Sequence, residues 1–560
     1  MSDSVMETVV KSPSPLASPP RAPTGPRLLG TSGTVLLGGL LVGGCLVVQL
    51  LWLLPPYPSD QINYLQAAAT FPSAPRIEAL DHQYLRYGLV VPLRLAIEVF
   101  GYSQATYYVV PVLSGLLLVL SVYALGVMWF GRLVGLLAAL VVAGNSIVFE
   151  DLSMPLPDLS ATALVTAAIV LAVAIRRRRP WAAGTGLRCA GWLSAIGLLL
   201  AGSYLCREFV VFIWPLVGLL LLKRIRLRDT AWLVAPIVVL VAAESTINAI
   251  VLDDPLARLH AAAEHGSGPA PAHIGPTFQD RPAIHYLVRL PGVLHHAHEG
   301  PFLVGMLVAT IVGGSIAVAS LITKHRLTPS GGDPRARRLC LLLVWILLLW
   351  MPLTLLGGLL NPAHPKLRLQ LDRYWFPIFP PVILGGIAVA WLIGEPIARW
   401  ILTASRSARV TALTSKIPAM AALAVAVPPL VIAASGWVDN PAYRVNGATQ
   451  LEDLRGWLAD HDDVPVIWAD RRTSTLVPVF TRGPFGGTVW HGEVRTLLGA
   501  GPRPLPGRNE HVVLYSAESQ MCAHCRLVER KLFGDPVRLP VTWTRVYRTP
   551  DGILQIYRVN

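Results

Sequence analysis

Charge is scarce in this chain: Asp, Glu, Lys and Arg supply 14% of 560 residues, whereas 53% are hydrophobic. That balance, with a mean hydropathy of +0.53, excludes an ordinary soluble globular protein and points to a lipid environment. Cysteine is scarce too. Of six, Cys45, Cys189, Cys206 and Cys340 lie in or beside apolar runs, where a small hydrophobe is the simplest reading. No segment repeats with a period of 20–50 residues and the two halves show no similarity, which argues against the inverted repeats of many transporters. The first apolar run, 31–54, has no small-residue cleavage site before Pro55 and is too long for a cleaved signal peptide.

Lys and Arg outnumber Asp and Glu by 47 to 33, a net charge of +14. Such an excess suits nucleic acid, an anionic membrane surface or a phosphate-bearing substrate, and its placement decides among them. Residues 1–30 are rich in Pro and Ser and read as a disordered cytoplasmic tail. After 31–54, apolar runs near 106–129, 133–149, 159–175, 190–205, 209–223, 231–252, 302–322, 339–360, 374–394 and 417–437 predict about eleven crossings. The runs 190–205 and 209–223 are short and only three residues apart, so they read either as two spans or as one re-entrant hairpin. Short loops carrying Arg132, Arg176 to Arg179, Lys223 to Arg228, Lys324 to Arg338 and Arg399 to Lys416 all fall on one side, which is therefore cytoplasmic. The charge thus marks topology and a membrane surface, with no nucleic-acid partner.

This topology puts loops 55–105 and 253–301 and the tail 438–560 on the outer face. Within 55–105, SDQINYLQAAATF predicts a helix starting at Ser59 and VPLRLAIEVFG an amphipathic helix at the interface. The tail has soluble composition. VPVIWA, TLVPVF, HVVLYSA and ILQIYRV read as strands, and residues 450–459 and 526–533 as helices, so a small α/β domain is expected. The chain divides into the tail at 1–30, an all-α membrane module at 31–437 and an outer α/β domain at 438–560.

Several residues have chemistry to offer. Cys522 and Cys525 form a Cys-x-x-Cys between a strand-like and a helix-like run, consistent with a structural disulfide outside the membrane, a redox pair or a metal site. His295, His296 and His298 have no matched carboxylate or cysteine spacing for a metal. Arg207, Lys366, Arg368 and Arg373 are basic residues on the side where the topology rule disfavours them, so they need an anionic partner. A lipid phosphate or pyrophosphate suits bidentate arginine; the alternatives are headgroup anchoring, or pairing of Arg207 with Glu208 and of Arg373 with Asp372. Asp60, Glu150, Asp151 and Asp158 gather at the same depth, where a carboxylate can take a proton from an acceptor hydroxyl; for the last three, polar capping of helix ends is the rival reading. Glu244 and Asn248, one turn apart within a span, fit either a cavity wall or a helix–helix bond.

Five pieces, in order, resemble the GT-C superfamily of membrane glycosyltransferases, especially the branch holding protein O-mannosyltransferases and bacterial aminoarabinose and arabinofuranosyl transferases. They are Tyr-Pro-Ser-Asp60-Gln-Ile-Asn-Tyr, VFGYSQATYYVVPVLSG, FGRLVGLLAAL, the pairs Glu150-Asp151 and Pro157-Asp158, and DRYWFPIFPP. The resemblance implies a multi-span helical fold, with Asp60 as catalytic base and Glu150, Asp151 and Asp158 assisting acceptor or metal. It also implies that Arg207, Arg373, Tyr374, Lys366 and Arg368 lie around the donor phosphate, although many relatives have Thr-Lys where this chain has Cys206-Arg207-Glu208. The implied donor is a polyprenyl-phosphate sugar and the acceptor a glycan, lipid or protein of the cell envelope. No Rossmann-type glycine motif suggests a nucleotide donor. Some members use a divalent cation and others none; a donor with a single phosphate beside arginine favours the metal-independent case. A transporter or channel for an anionic solute, with Glu244 and Asn248 in its pathway, is the competing function.

Overall fold

A computed structural model describes residues 31–560 apart from 57–58, 74–80, 178–185, 223, 265–277, 281, 283, 328–332, 357–366, 370–371, 405–412, 440–447, 483–487, 498–505 and 516–524. The tail 1–30, Lys366 and Cys522 lie outside the described residues, as do the side chains of Arg368 and Cys525.

Among the described residues nine helices are long and apolar enough to cross a membrane: α1 (Thr31–Leu51), α5 (Gln104–Trp129), α8 (Pro157–Arg177), α9 (Gly186–Cys206), α11 (Thr230–Leu252), α14 (Gly300–Leu327), α15 (Pro334–Leu356), α16 (Phe379–Ala404) and the helix Ile417–Asp439. Two further segments expected as spans are apolar but shorter, so the eleven expected crossings correspond to nine helices of spanning length and two shorter pieces. One is α6 (Arg132–Gly144); the other is a 3-10 turn, Glu208–Ile213, running into α10 (Trp214–Leu221). The expected span 133–149 ends early because Asn145 breaks it and caps α7 (Ser146–Asp151), its side chain accepting from the Val148 N–H at 3.0 Å. α8 and α16 run through the middle of the bundle and α1 and α11 along its edge. Where α5 meets α6, a Cβ on Gly126 would stand 2.4 Å from the Gly135 Cα, so glycine is what lets the two backbones touch.

Four further helices cover one end of the bundle: α2 (Asp60–Thr70), α4 (Tyr87–Phe100), α12 (Ala257–Glu264) and α13 (His285–His296), with the single turn α3 (Asp81–Tyr84) between the first two. Both helices expected in 55–105 are present. α4 starts earlier than its sequence pattern and lies against α9 so closely that a Cβ on Gly88 would fall 2.6 Å from the Gly202 carbonyl and the Cys206 N. Strands β1 (Phe278–Asp280) and β2 (Leu367–Leu369) pair antiparallel, Gln279 opposite Arg368, tying the loop before α13 to the loop before α16.

The C-terminal part is a five-stranded sheet of order β4-β3-β5-β7-β6, from β3 (Val466–Ala469), β4 (Glu493–Thr496), β5 (His511–Tyr515), β6 (Trp543–Arg548) and β7 (Leu554–Val559). β3 is parallel to both its neighbours, and β7 is antiparallel to β5 and β6. The alternating side chains explain the layering. Ile467, Ala469, Val513, Tyr515, Leu554 and Ile556 share a core with helix Ala448–Asp460 and with α2 and α4, while Trp468, Val512 and Leu514 face Leu532 and Phe533 of helix Cys525–Phe533. The sheet domain therefore packs on the end of the bundle that carries α2 and α4, where Gln104 also donates to Glu452 at 3.1 Å. TLVPVF is a correction: it lies in helix Arg471–Phe480, because the Asp470 carboxylate accepts from the Arg472 and Thr473 N–H groups and starts a helical turn ahead of it.

Candidate active site

The bundle end under α2 and α4 collects four charged side chains from four separate places. Asp60 is the first residue of α2, where the helix N-terminus favours a carboxylate. Asp158 is in the first turn of α8, and Arg207 follows the last residue of α9 in extended conformation. Arg373 lies on the 3-10 segment Asp372–Ile378, which is pinned by the burial of Trp375, Phe376, Pro377 and Ile378.

Arg207 grips Asp158 with both arms of its fork, Nε to Oδ1 at 2.7 Å and Nη2 to Oδ2 at 3.0 Å. The pair is closed to solvent, the side chains being 6% and 1% exposed, and the guanidinium lies 4.7 Å from the centre of the Tyr374 ring. Arg373 joins the two carboxylates: its Nη2 donates to Asp60 Oδ2 at 2.9 Å and its Nε stands 3.5 Å from Asp158 Oδ2. The other oxygen of Asp60 accepts from Gln83 at 3.4 Å. Burial alone would raise the pKa of Asp60, but the charge and hydrogen bond of Arg373, with smaller contributions from His82 and Arg207, hold it below its ordinary value.

The pairings expected from sequence proximity are replaced. Asp372 turns away from Arg373 to accept from Arg289 of α13 at 2.7 Å. Glu208 turns away from Arg207 and is held between Arg86 and Arg258. Arg258 is the centre of a second network that sequence reasoning missed. Only 3% exposed, it pairs with Glu244 of α11 and with Glu208, and donates to the carbonyls of Leu85 and Leu205. Asn248 accepts from the Tyr87 hydroxyl at 2.6 Å. Glu244 and Asn248 thus fasten α11 to the covering helices instead of lining an open path. The topology argument that singled out Arg207 and Arg373 applies equally to Arg86 and Arg258, and extending it to the long loops would have found them.

No protein-family model matches the chain, and no curated protein is similar to it in sequence. Solved structures do match. ArnT from Cupriavidus metallidurans in the apo state superposes with a TM-score of 0.51 at 12% identity, covering 94% of this chain and 98% of that one. The same protein bound to undecaprenyl phosphate gives 0.51 at 13% identity, covering 95% and 99%. The chain shares its fold with ArnT. The Archaeoglobus fulgidus oligosaccharyltransferase in its apo form is a more distant match, with a TM-score of 0.46 and 10% identity over 80% of this chain and 64% of that one.

On this scaffold the other two acidic candidates belong to a separate short helix. Glu150 and Asp151 end α7. Burial raises the pKa of Glu150, partly offset by His298. Asp151 is buried, one of its oxygens (Oδ2) has no hydrogen-bond partner, and burial, eased by Arg373 but reinforced by Asp158 and Glu150, raises its pKa from 3.8 to about 8. Its carboxyl therefore holds its proton well above the ordinary carboxylate range. Because its folded pKa lies above the unfolded value, its contribution to stability is complete below about 3.8 and is lost as pH rises to about 8. Asp151→Asn should flatten that part of a melting-temperature profile taken from pH 5 to 9; an unchanged slope would show that another group titrates.

Among the described residues no group of three or more His, Cys, Asp or Glu side chains is arranged to hold a metal ion. His295, His296 and His298 are exposed, with His296 Nδ1 at 3.7 Å from Asp372. Tyr64, one turn after Asp60 and the last residue of the piece Tyr-Pro-Ser-Asp60-Gln-Ile-Asn-Tyr, is fully buried within the electrostatic reach of Arg207, Arg86, Asp60 and Arg373, a placement for which sequence reasoning supplied no role.

Proposed function

We propose that the chain is a membrane glycosyltransferase that moves a sugar from a polyprenyl-phosphate donor to a cell-envelope acceptor at the outer membrane surface. The observation that carries this reading is the bridge Asp60–Arg373–Asp158–Arg207. A partly open carboxylate and a partly open guanidinium lie side by side, above a buried ion pair that fixes them. Asp60 takes the proton of the acceptor hydroxyl, the acceptor oxygen attacks the anomeric carbon, and the bond from that carbon to the phosphate oxygen breaks towards arginine. The fold shared with ArnT, one of whose structures holds undecaprenyl phosphate, supports a lipid-phosphate donor. The distribution of Lys and Arg supports an outward-facing site, with 31–437 as the catalytic module and 438–560 as an outer domain packed over it.

The competing transporter reading loses its main support, since Glu244 and Asn248 within α11 already have partners. Purified protein in lipid discs, offered a panel of polyprenyl-phosphate sugars, should release free polyprenyl phosphate from at least one of them by mass spectrometry. Release of none, with the donors stable and an envelope-lipid extract present as acceptor, would overturn the proposal.

A further inference from the structure

This inference rests on the donor reading above. The four charges of the site balance, two carboxylates against two guanidiniums, but they are not held equally. Arg207 has committed Nε and Nη2 to a carboxylate that is 1% exposed. Arg373 gives Asp60 one hydrogen bond, its Nε has no hydrogen-bond partner, and its side chain is 17% exposed against 34% for Asp60. Breaking the first pair would strand two buried charges, whereas the second sits at a rim where water can replace either partner. An arriving anion therefore meets one arginine able to change partners.

We propose that Arg373 is exchanged between Asp60 and the donor's phosphate, covering the base in the free protein and uncovering it when a phosphate binds, while Arg207 stays on Asp158 as a fixed strut. Charge conservation in the reaction supports the exchange. Before transfer Asp60 carries one negative charge and the donor, a phosphodiester, carries one. The acceptor proton moves to Asp60, the new C–O bond forms, and the electron pair of the broken bond stays on the phosphate. Afterwards Asp60 is neutral and the polyprenyl phosphate is a monoester with a second negative charge. Negative charge thus leaves Asp60 and appears on the phosphate, and a guanidinium able to follow it stabilises both ends of the step. The exchange also corrects the weakness of a paired base, because a carboxylate held by arginine has little affinity for a proton until the arginine leaves.

The test is a double-mutant cycle on binding alone, without turnover. Undecaprenyl phosphate is titrated into discs of zwitterionic lipid carrying the full chain, its Asp60→Asn variant, its Arg373→Gln variant and the double variant, with melting temperature as the control for folding. Removing the competing carboxylate frees a charge-assisted hydrogen bond, so Asp60→Asn should tighten binding by about tenfold or more. That gain should vanish in the Arg373→Gln background. If Arg373→Gln does not fold, Arg373→Lys serves, since it keeps the charge but loses the fork, and the gain should shrink. Equal tightening with and without Arg373 would mean simple repulsion between Asp60 and phosphate and would overturn the exchange, as would no tightening. The same gain with phosphatidylglycerol in place of undecaprenyl phosphate would also overturn it, by exposing an unspecific anionic surface. Absence of any binding by the parent chain would remove the donor reading itself, whereas binding without coupling removes only the exchange.

Discussion

Replacing Asp60 with asparagine should lower sugar transfer by about 10²–10⁴-fold, the range supplied by a positioned general base, while the protein still folds and still takes up the lipid phosphate. Asparagine fits the same space, and its amide oxygen can still accept from Arg373, so the loss should be in kcat and not in expression or melting temperature. The direction of the Asp60 pKa sets the pH profile. Its folded value is depressed, so the carboxylate form, and with it the native pairing to Arg373, persists above the ordinary Asp range and is lost only as pH falls through the depressed value. The acid limb of kcat/KM, which reports the free enzyme, should therefore lie below the usual carboxylate range and should disappear in Asp60→Asn. Transfer at the parental rate by the variant would remove Asp60 from the chemistry.

The membrane spans were readable because lipid imposes a single requirement on each of them, a long apolar run. The places where that reading slipped are those where one residue overrides a run. Asn145 stops α6 inside an apolar stretch, and Asp470 starts a helix ahead of TLVPVF, whose composition suits a strand. In the C-terminal sheet, β4 and β6 were missed as well. Their side chains are half-buried or exposed at the two edges of the sheet, so no alternating hydrophobic pattern marks them.

The candidate site was legible as a set of charged residues but not as a set of pairs. Asp60, Asp158, Arg207 and Arg373 each stood out by sign and depth, yet the bond from Arg373 to Asp60 spans 313 positions of sequence and that from Arg207 to Asp158 spans 49. Proximity in the chain suggested Glu208 and Asp372 instead. These face away because an extended or 3-10 backbone sends successive side chains in different directions, and each finds another arginine, Arg258 and Arg86 for one and Arg289 for the other. The charge rule extended to the long loops would have marked Arg258, but not its partners: Glu244 on α11, Glu208 and the carbonyls of Leu85, Tyr204 and Leu205 are brought to it only by tertiary packing.

The buried pair beneath the site should show the largest effect on stability. Asp158→Ala removes the carboxylate that Arg207 grips and, among the described residues, one of two beside Arg373, leaving guanidinium charge enclosed without compensation, a loss of about 3–5 kcal/mol for a pair broken from one side. Asp158→Asn should cost less, because the amide oxygen can still accept one bond, but it cannot reproduce the fork. The double variant Asp158→Leu with Arg207→Met should regain most of the lost melting temperature, since two apolar side chains avoid the desolvation that the ions had to offset. It should nonetheless stay inactive, because Arg373 then has no second carboxylate to hold it beside Asp60. Melting temperature and transfer rate measured on all three separate the pair's structural part from its part in chemistry. If Asp158→Ala melts with the parent protein, the pair is not a support; if the double variant transfers sugar, the strut does not position Arg373.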